Sequence, residues 1–285
     1  MTWEKIKHSL KELLLLIRRP EMMILPGHLA FYMVLSFVPM LLIVILLISI
    51  FSLSLDSFLS VLNISLPDRV NDILTPLIVN EKWDININIL LILTVYIASS
   101  GLYSVIVAAN TLYHNEVKNV LIRKIKAIFL TIFFVMMFLF MIVVMAFGNS
   151  IIDYLATTIN SDLIMSYIEY VYFIIKWPFA FVYILCVINL IYTLAPDNHI
   201  KGKSVILGSL FTTITWILLT LGFSYWVDNF TRYDLIYGGL SAFIVMMIWI
   251  YFLSYLFILG LAINVNSYRR KIARSEEREK DDKKL

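Results

Sequence analysis

The segment IIKWPFA, residues 174–180, sets a cation and a helix breaker two positions apart inside a long apolar run. The ammonium of Lys176 could meet a phosphate, a carboxylate or a backbone carbonyl in such a place. Pro178 supplies the carbonyl. It donates no backbone N–H, and its ring crowds the carbonyl of Ile174 one turn back, which must find another donor. A cation beside a freed carbonyl is the chemistry of a polar pocket within lipid. Lys176 stands roughly 12 Å into its run at 1.5 Å per residue. A lysine at a helix centre costs on the order of 2.5–3.5 kcal/mol on insertion scales. Tyr172, one turn earlier, and Glu169, two turns earlier, share its face and could join it through a water or a hydroxyl. The competing reading is that Lys176 snorkels to the outer surface. A second proline, Pro39, sits at comparable depth in an earlier run, and Ser36 lies one turn before it.

The elements that hold these residues follow from composition. Of 285 residues, 61% are hydrophobic and 15% charged, against about 25% charged in a soluble domain. A soluble α/β core would show apolar runs of roughly 4–8 residues between turns. Here they reach the roughly 20 that cross a bilayer. The fold class is therefore an all-α polytopic membrane protein with six transmembrane helices, over about 27–54, 85–113, 127–148, 168–194, 204–227 and 236–266. Residues 27–266 form the transmembrane domain and 267–285 a charged cytoplasmic tail, expected to be solvated or disordered. Residues 1–26 read as a cytoplasmic amphipathic helix at the interface, with Trp3, Ile6, Leu10, Leu13, Leu14 and Ile17 at helical spacing. They lack the charged start, apolar core and cleavage site of a signal peptide in sequence.

Lysine and arginine set the direction of the spans. They gather in the N-terminal segment, in the loop after span two (Lys118, Arg123, Lys124, Lys126), in the loop after span four (Lys201, Lys203) and in the tail. The other three loops hold only Arg69, Lys82 and Arg232. Both termini are expected to face the cytoplasm, in a bacterial inner membrane. Acids such as Asp56, Asp72, Glu81, Asp153, Asp162 and Asp228 lie outside. They either shape the field at a cavity mouth or are tolerated because acids contribute little to orientation. The outer segments 57–80 and 150–166 are expected to form short surface helices.

Inside the spans, Ala98, Ser99, Ser100, Gly101, Ser104, Ala108 and Ala109 make span two a close-packing surface or the lining of a path. Gly208, Gly238, Gly239 and Gly260 are further helix-contact candidates. His28, Ser36, Asn110, Asn189, Asn264 and Asn266 fall towards cytoplasmic ends. They form a polar vestibule or simply mark helix ends among headgroups. Cys186 makes no internal disulfide and is expected as a small core residue. Three spans plus three, each half with a proline in its first helix, is the pattern an inverted repeat produces.

Several stretches resemble the YihY/BrkB family of bacterial inner-membrane proteins: GHLAFYMVLSFVPMLLI (27–43), SSGLYSVIVAANTLY (99–113), IYTLAPDN (191–198) and the run from 208 to 265. In the last, Trp216, Phe223, Tyr225, Tyr237, Gly238, Trp249, Tyr251, Gly260 and Asn264 match the family pattern. Where the family has an acid just before the final asparagine, this chain has Ala262-Ile263-Asn264, so no role of that acid carries over. The resemblance implies a six-helix bundle over about 25–268. It implies links to serum resistance and to export of envelope lipid precursors, and it brings a ribonuclease BN label that reads as a misattribution. A metal-dependent nuclease needs clustered ligands, whereas His8, His28, His114 and His199 lie far apart.

The sequence thus points to a transporter or translocator of a lipid, amphiphile or small anionic solute. Substrate-binding candidates are Lys176, Tyr172, Pro178, Glu169, Ser36, Pro39, Asn110, Tyr237 and Asn264. No phosphate-binding G-x-x-x-x-G-K-[ST] loop occurs, so pumping would need an ion gradient or a partner. The alternative is a membrane scaffold, or an envelope-stress or virulence-associated protein, without transport. Catalysis is not expected: Ser36 has no evident base and no H-E-x-x-H occurs. No cofactor and no metal are expected. Membrane lipids are the expected partners, and the net charge of +3 is too small to imply nucleic acid.

Overall fold

The computed structural model describes residues 15–18, 20–50, 85–115, 119–158, 162–198, 200–230 and 241–282. Seven helices make up nearly all of them: α1 (Glu21–Ile50), α2 (Ile85–Ala98), α3 (Ser100–Tyr113), α4 (Val120–Thr158), α5 (Asp162–Leu194), α6 (Gly202–Phe230) and α7 (Ser241–Asp282). Among the described residues there is no strand. In hydrocarbon a helix satisfies its own backbone, which is why these apolar runs take that form. Six stretches are long and apolar enough to cross a membrane, and α2 with α3 supplies one of them, Ile92–Tyr113.

Several boundaries differ from expectation. The first helix starts at Glu21, directly after Pro20, whose carbonyl accepts from Met23 N at 3.1 Å. The third span begins at Val120, not 127, so Arg123, Lys124 and Lys126 belong to a helix rather than a loop. The same helix runs to Thr158 and absorbs much of the expected surface segment 150–166. The last helix continues to Asp282, so the tail is helical through that residue rather than irregular. Its stretch ARSEEREKDD is rich in helix formers, with acids and bases three and four apart. Of the expected interfacial helix, residues 1–14 and 19 lie outside the described residues, as do the segment 57–80 and Tyr237.

The chain divides into two compact units, one from residues 1–34, 104–120 and 180–285 and the other from 35–103 and 121–179. Each draws on both the first three and the last three spans, so an inverted repeat rests on the prolines alone. In the first unit α6 and α7 pack along each other and cross at Gly208 and Gly260. An added Cβ at Gly208 would collide with the Gly260 carbonyl and come within 2.5 Å of the Asn264 side chain. Such proximity is available only to residues without a side chain. In the second unit Ile43, Val44, Ala98, Val135 and Leu139 form a buried cluster, with Met40 and Val95 packed against it.

Candidate functional site at a break in the second span

Lys176 and Pro178 lie within α5, in the second unit, and the helix continues past the proline to Leu194. Lys176 is half-buried, while Ile174, Ile175, Trp177 and Phe179 around it are exposed. Only 6% of the fourth span's apolar stretch is buried, against 50% of the second. Cys186 on the fourth span is exposed, not a core residue. Glu169 and Tyr172 belong to α5, but their side chains lie outside the described set. Ser36 is buried and Pro39 half-buried, both in the second unit. Asn110 and Asn264 belong to the first unit.

Several of the polar residues near helix ends bond within the protein. Asn110 is 2% exposed. Its Nδ2 donates to the Ile106 carbonyl at 2.8 Å, and its Oδ1 accepts from Asn115 Nδ2 at 2.7 Å and Asp197 N at 2.9 Å. Asn115 in turn accepts from Asn198 Nδ2. The chain reaches Asn115 by a left-handed turn at His114, with φ 54°, and Asn115 N closes back onto the Asn110 carbonyl at 3.0 Å. That is the Schellman closure of a helix, and it gives His114 a capping role. Asn264 is fully buried, and its Oδ1 accepts from Gly208 N at 2.7 Å. Asn189 Nδ2 donates to the Gly202 carbonyl and to Ser209 Oγ, each at 3.3 Å. Tyr192 donates to the Phe257 carbonyl and accepts from Thr212 Oγ1, both at 2.7 Å. Trp216 Nε1 donates to the Leu253 carbonyl and Arg269 to that of Leu112, both at 2.9 Å. Such bonds between segments hold the first unit together. His28 does the same with Ser104 Oγ at 2.9 Å.

A cation-and-carbonyl pairing of the kind anticipated at Lys176 is present at Lys124. The helix of the second span is irregular at Ser99, a single turn residue between α2 and α3 that keeps backbone bonds to Val95 and Tyr103 at 3.0 and 2.9 Å. At this break the Tyr96 carbonyl takes donors from side chains. Ser99 Oγ donates to it at 2.8 Å and Lys124 Nζ at 3.0 Å, with Ser100 Oγ more distant at 3.5 Å. Lys124 also donates to Ser100 Oγ at 3.2 Å. Its Nζ lies 4.1 Å from the Tyr96 ring centroid and 5.5 Å from that of Tyr103. Lys124 reaches the break because α4 begins a turn before it, and Ala127 and Thr131 bury the same helix against its neighbours. Lys124, Tyr96, Ser99, Ser100 and Tyr103 all belong to the second unit.

The arrangement is electrostatically lopsided. Two neutral oxygens and two ring faces hold the ammonium, and among the described residues no carboxylate pairs with it. Dipoles and π faces hold a cation in place but leave its unit charge uncancelled. Sequence reasoning counted Lys124 as a loop charge. The signal that could have found it is the run Val120, Leu121, Ile122, Ile125, Ile128, Phe129, which starts before the basic residues and interleaves them at helical spacing. Among the described residues no group of three His, Cys, Asp or Glu side chains stands close enough to hold a metal ion.

Comparison with known proteins adds the following. The family model described as Virulence factor BrkB matches residues 17–284. The chain is 29% identical over 250 residues to the ribonuclease-like protein YfkH of Bacillus subtilis, a match covering 86% of this chain and 90% of that protein. It is 33% identical over 70 residues to a UPF0761 membrane protein of Pseudoalteromonas translucida, covering 25% of this chain and 23% of that one. A UPF0761 membrane protein of an Enterobacter species is 30% identical over 94 residues, 32% of each chain. No solved structure matches.

Proposed function

The chain belongs to the BrkB virulence-factor family of membrane proteins, and from that premise we propose that it translocates a lipid, an amphiphile or a small anionic solute across the cytoplasmic membrane. One observation carries the reading: the helix of the second span is irregular at Ser99, and the Lys124 ammonium, which pairs with no carboxylate among the described residues, sits on the Tyr96 carbonyl there. Irregular backbone is tolerated at membrane depth only where protein buries it or where it lines a polar path. Transporters place broken helices at their substrate sites for this reason. Lys124 supplies the attraction for a negative group, and Tyr96 and Tyr103 supply faces that stabilise the cation while the site is empty of anion.

The proposed activity makes and breaks no covalent bond, and driving it uphill requires an ion gradient or a partner. Placement in the cytoplasmic membrane with both termini inside is part of the same proposal, supported by the distribution of lysine and arginine. Membrane lipids are the proposed partners. The test is reconstitution in liposomes, with labelled anionic lipid and labelled small anions followed across the bilayer. Transfer of one of them faster than in empty liposomes is the expected result. Rates equal to protein-free vesicles for every probe would end the transport reading.

A further inference from the structure

We propose that the break at Ser99 is a binding site for the head of an anionic amphiphile, with Lys124 Nζ as its charge partner and the adjoining apolar surfaces of α2 and α4 as the seat of its tail. The inference rests on the translocation reading for its purpose but is tested by binding, which needs no transport.

Donor arithmetic comes first. A lysine ammonium has three N–H donors. Two are engaged, on the Tyr96 carbonyl and Ser100 Oγ. The third has no acceptor among the described residues. Ser100 Oγ accepts from the ammonium, and its own proton has only the Tyr96 carbonyl at 3.5 Å, beyond an ordinary O–H···O bond. Two donors at one place thus have unused capacity. A head with two or more anionic oxygens, a phosphate or a carboxylate, accepts both at once, and charge-assisted bonds of this kind are the strong ones.

The surroundings distinguish an amphiphile from a free anion. Tyr96 is 54% exposed, and Ile92 and Leu93, one turn before it on the same face, are more than half exposed. On α4, Leu121 and Ile125 beside Lys124 are also exposed. A small hydrated anion would have to shed water next to these side chains with nothing in return. An acyl chain gains with each CH₂ it buries and covers the same surface. Charge at the centre and hydrocarbon at the rim are complementary to a lipid with an acidic head.

The experiment uses the full-length protein in neutral detergent micelles, with phosphatidylglycerol titrated and bound lipid counted by native mass spectrometry. Phosphatidylcholine, inorganic phosphate and oleate form separate arms. Phosphatidylglycerol should bind the wild type, and Lys124→Ala and Lys124→Met should each weaken it about tenfold, the scale of one lost charge-assisted bond. Lys124→Arg should stay within about threefold, Ser100→Ala should lose a few-fold, and Lys203→Ala, on the exposed start of α6, should change nothing. Each Lys124 variant must remain monodisperse, and rescue by arginine separates a charge role from a packing role. Equal affinity across the Lys124 series overturns the site. Displacement of lipid by inorganic phosphate at matched concentration overturns the amphiphile assignment, whereas competition by oleate supports an oxyanion head on an apolar tail. Lys124-dependent binding without transfer between leaflets keeps the site and removes the translocation reading. Transfer that is identical in wild type and Lys124→Ala keeps translocation and removes the site from its path.

Discussion

Gly208→Ala tests the packing on which the first unit depends. The new methyl would point at the carbonyl of Gly260 closer than any normal contact and would stand 2.5 Å from both Cγ and Nδ2 of Asn264. A side-chain end could rotate away, but the Gly260 carbonyl is backbone inside α7 and moves only with the helix. Restoring an ordinary C···O separation of about 3.3 Å needs α6 and α7 to part by on the order of 1 Å at the crossing. That movement strains the bond from Gly208 N to Asn264 Oδ1, now 2.7 Å, and the neighbouring Tyr192–Thr212 pair. Overpacking costs about 1–3 kcal/mol, and an interhelical hydrogen bond in a membrane protein contributes about 0.6 kcal/mol on average. The expected loss is therefore about 2–4 kcal/mol. The control is Gly222→Ala on the same helix, where an added Cβ meets nothing within 4 Å. There alanine's better helix propensity should leave stability unchanged or raised by up to about 1 kcal/mol. Reversible unfolding in mixed detergent and dodecyl sulfate micelles measures both. If Gly208→Ala unfolds at the same denaturant fraction as Gly222→Ala, the close crossing of α6 and α7 is wrong.

Other outcomes are equally specific. Tyr192→Phe removes a hydroxyl that bonds Thr212 and the Phe257 carbonyl in full burial, and should destabilise by about 1–2 kcal/mol in the same assay. Asn110→Ala frees Asp197 N and Asn115 Nδ2, so amide exchange at residues 195–198 should accelerate severalfold while α4 is unaffected. In the liposome assay Lys124→Ala should slow transfer of the translocated anion about tenfold or more, and Lys176→Ala should slow it less; the opposite order would return the binding role to residues 174–180. Cys186, exposed on the span with the smallest buried share, should react in vesicles with a lipid-soluble maleimide and resist a charged, membrane-impermeant one.

The global architecture was legible because it depends on length and polarity, which a sequence states directly. Each expected span overlaps one of the six membrane-length stretches. Ends were less legible, and for a physical reason: basic residues are compatible with a loop and with the first turns of a helix, and counting charges cannot tell them apart. Arg123 was assigned to a loop on that ground, yet it is 8% exposed within α4. The asparagines differ. Their positions near helix ends suggested water or headgroups, but Asn110 and Asn264 are buried, each accepting from a backbone N–H of a later segment, Asp197 after α5 and Gly208 in α6. Which neighbour lies opposite is tertiary information, and periodicity along one helix does not contain it.

A lysine bonded to a backbone carbonyl, anticipated at Lys176, is seen at Lys124. Proline advertises a disrupted carbonyl, so attention fell on Pro178. The serine pair at 99–100 produces one without proline: hydroxyls that compete for the Tyr96 carbonyl offer the backbone an alternative to its helical partner. The break and the cation also require each other. Without Lys124, the Tyr96 carbonyl would lose its strongest donor in a place where water is scarce. Without the break, Lys124 would have ring faces and one hydroxyl, too little to hold a charge in a span at a cost of on the order of 2.5–3.5 kcal/mol. Their effects should therefore be non-additive. Ser99→Ala combined with Lys124→Ala should destabilise by less than the sum of the two single changes, and strict additivity would show that the lysine and the broken helix are neighbours without being a unit.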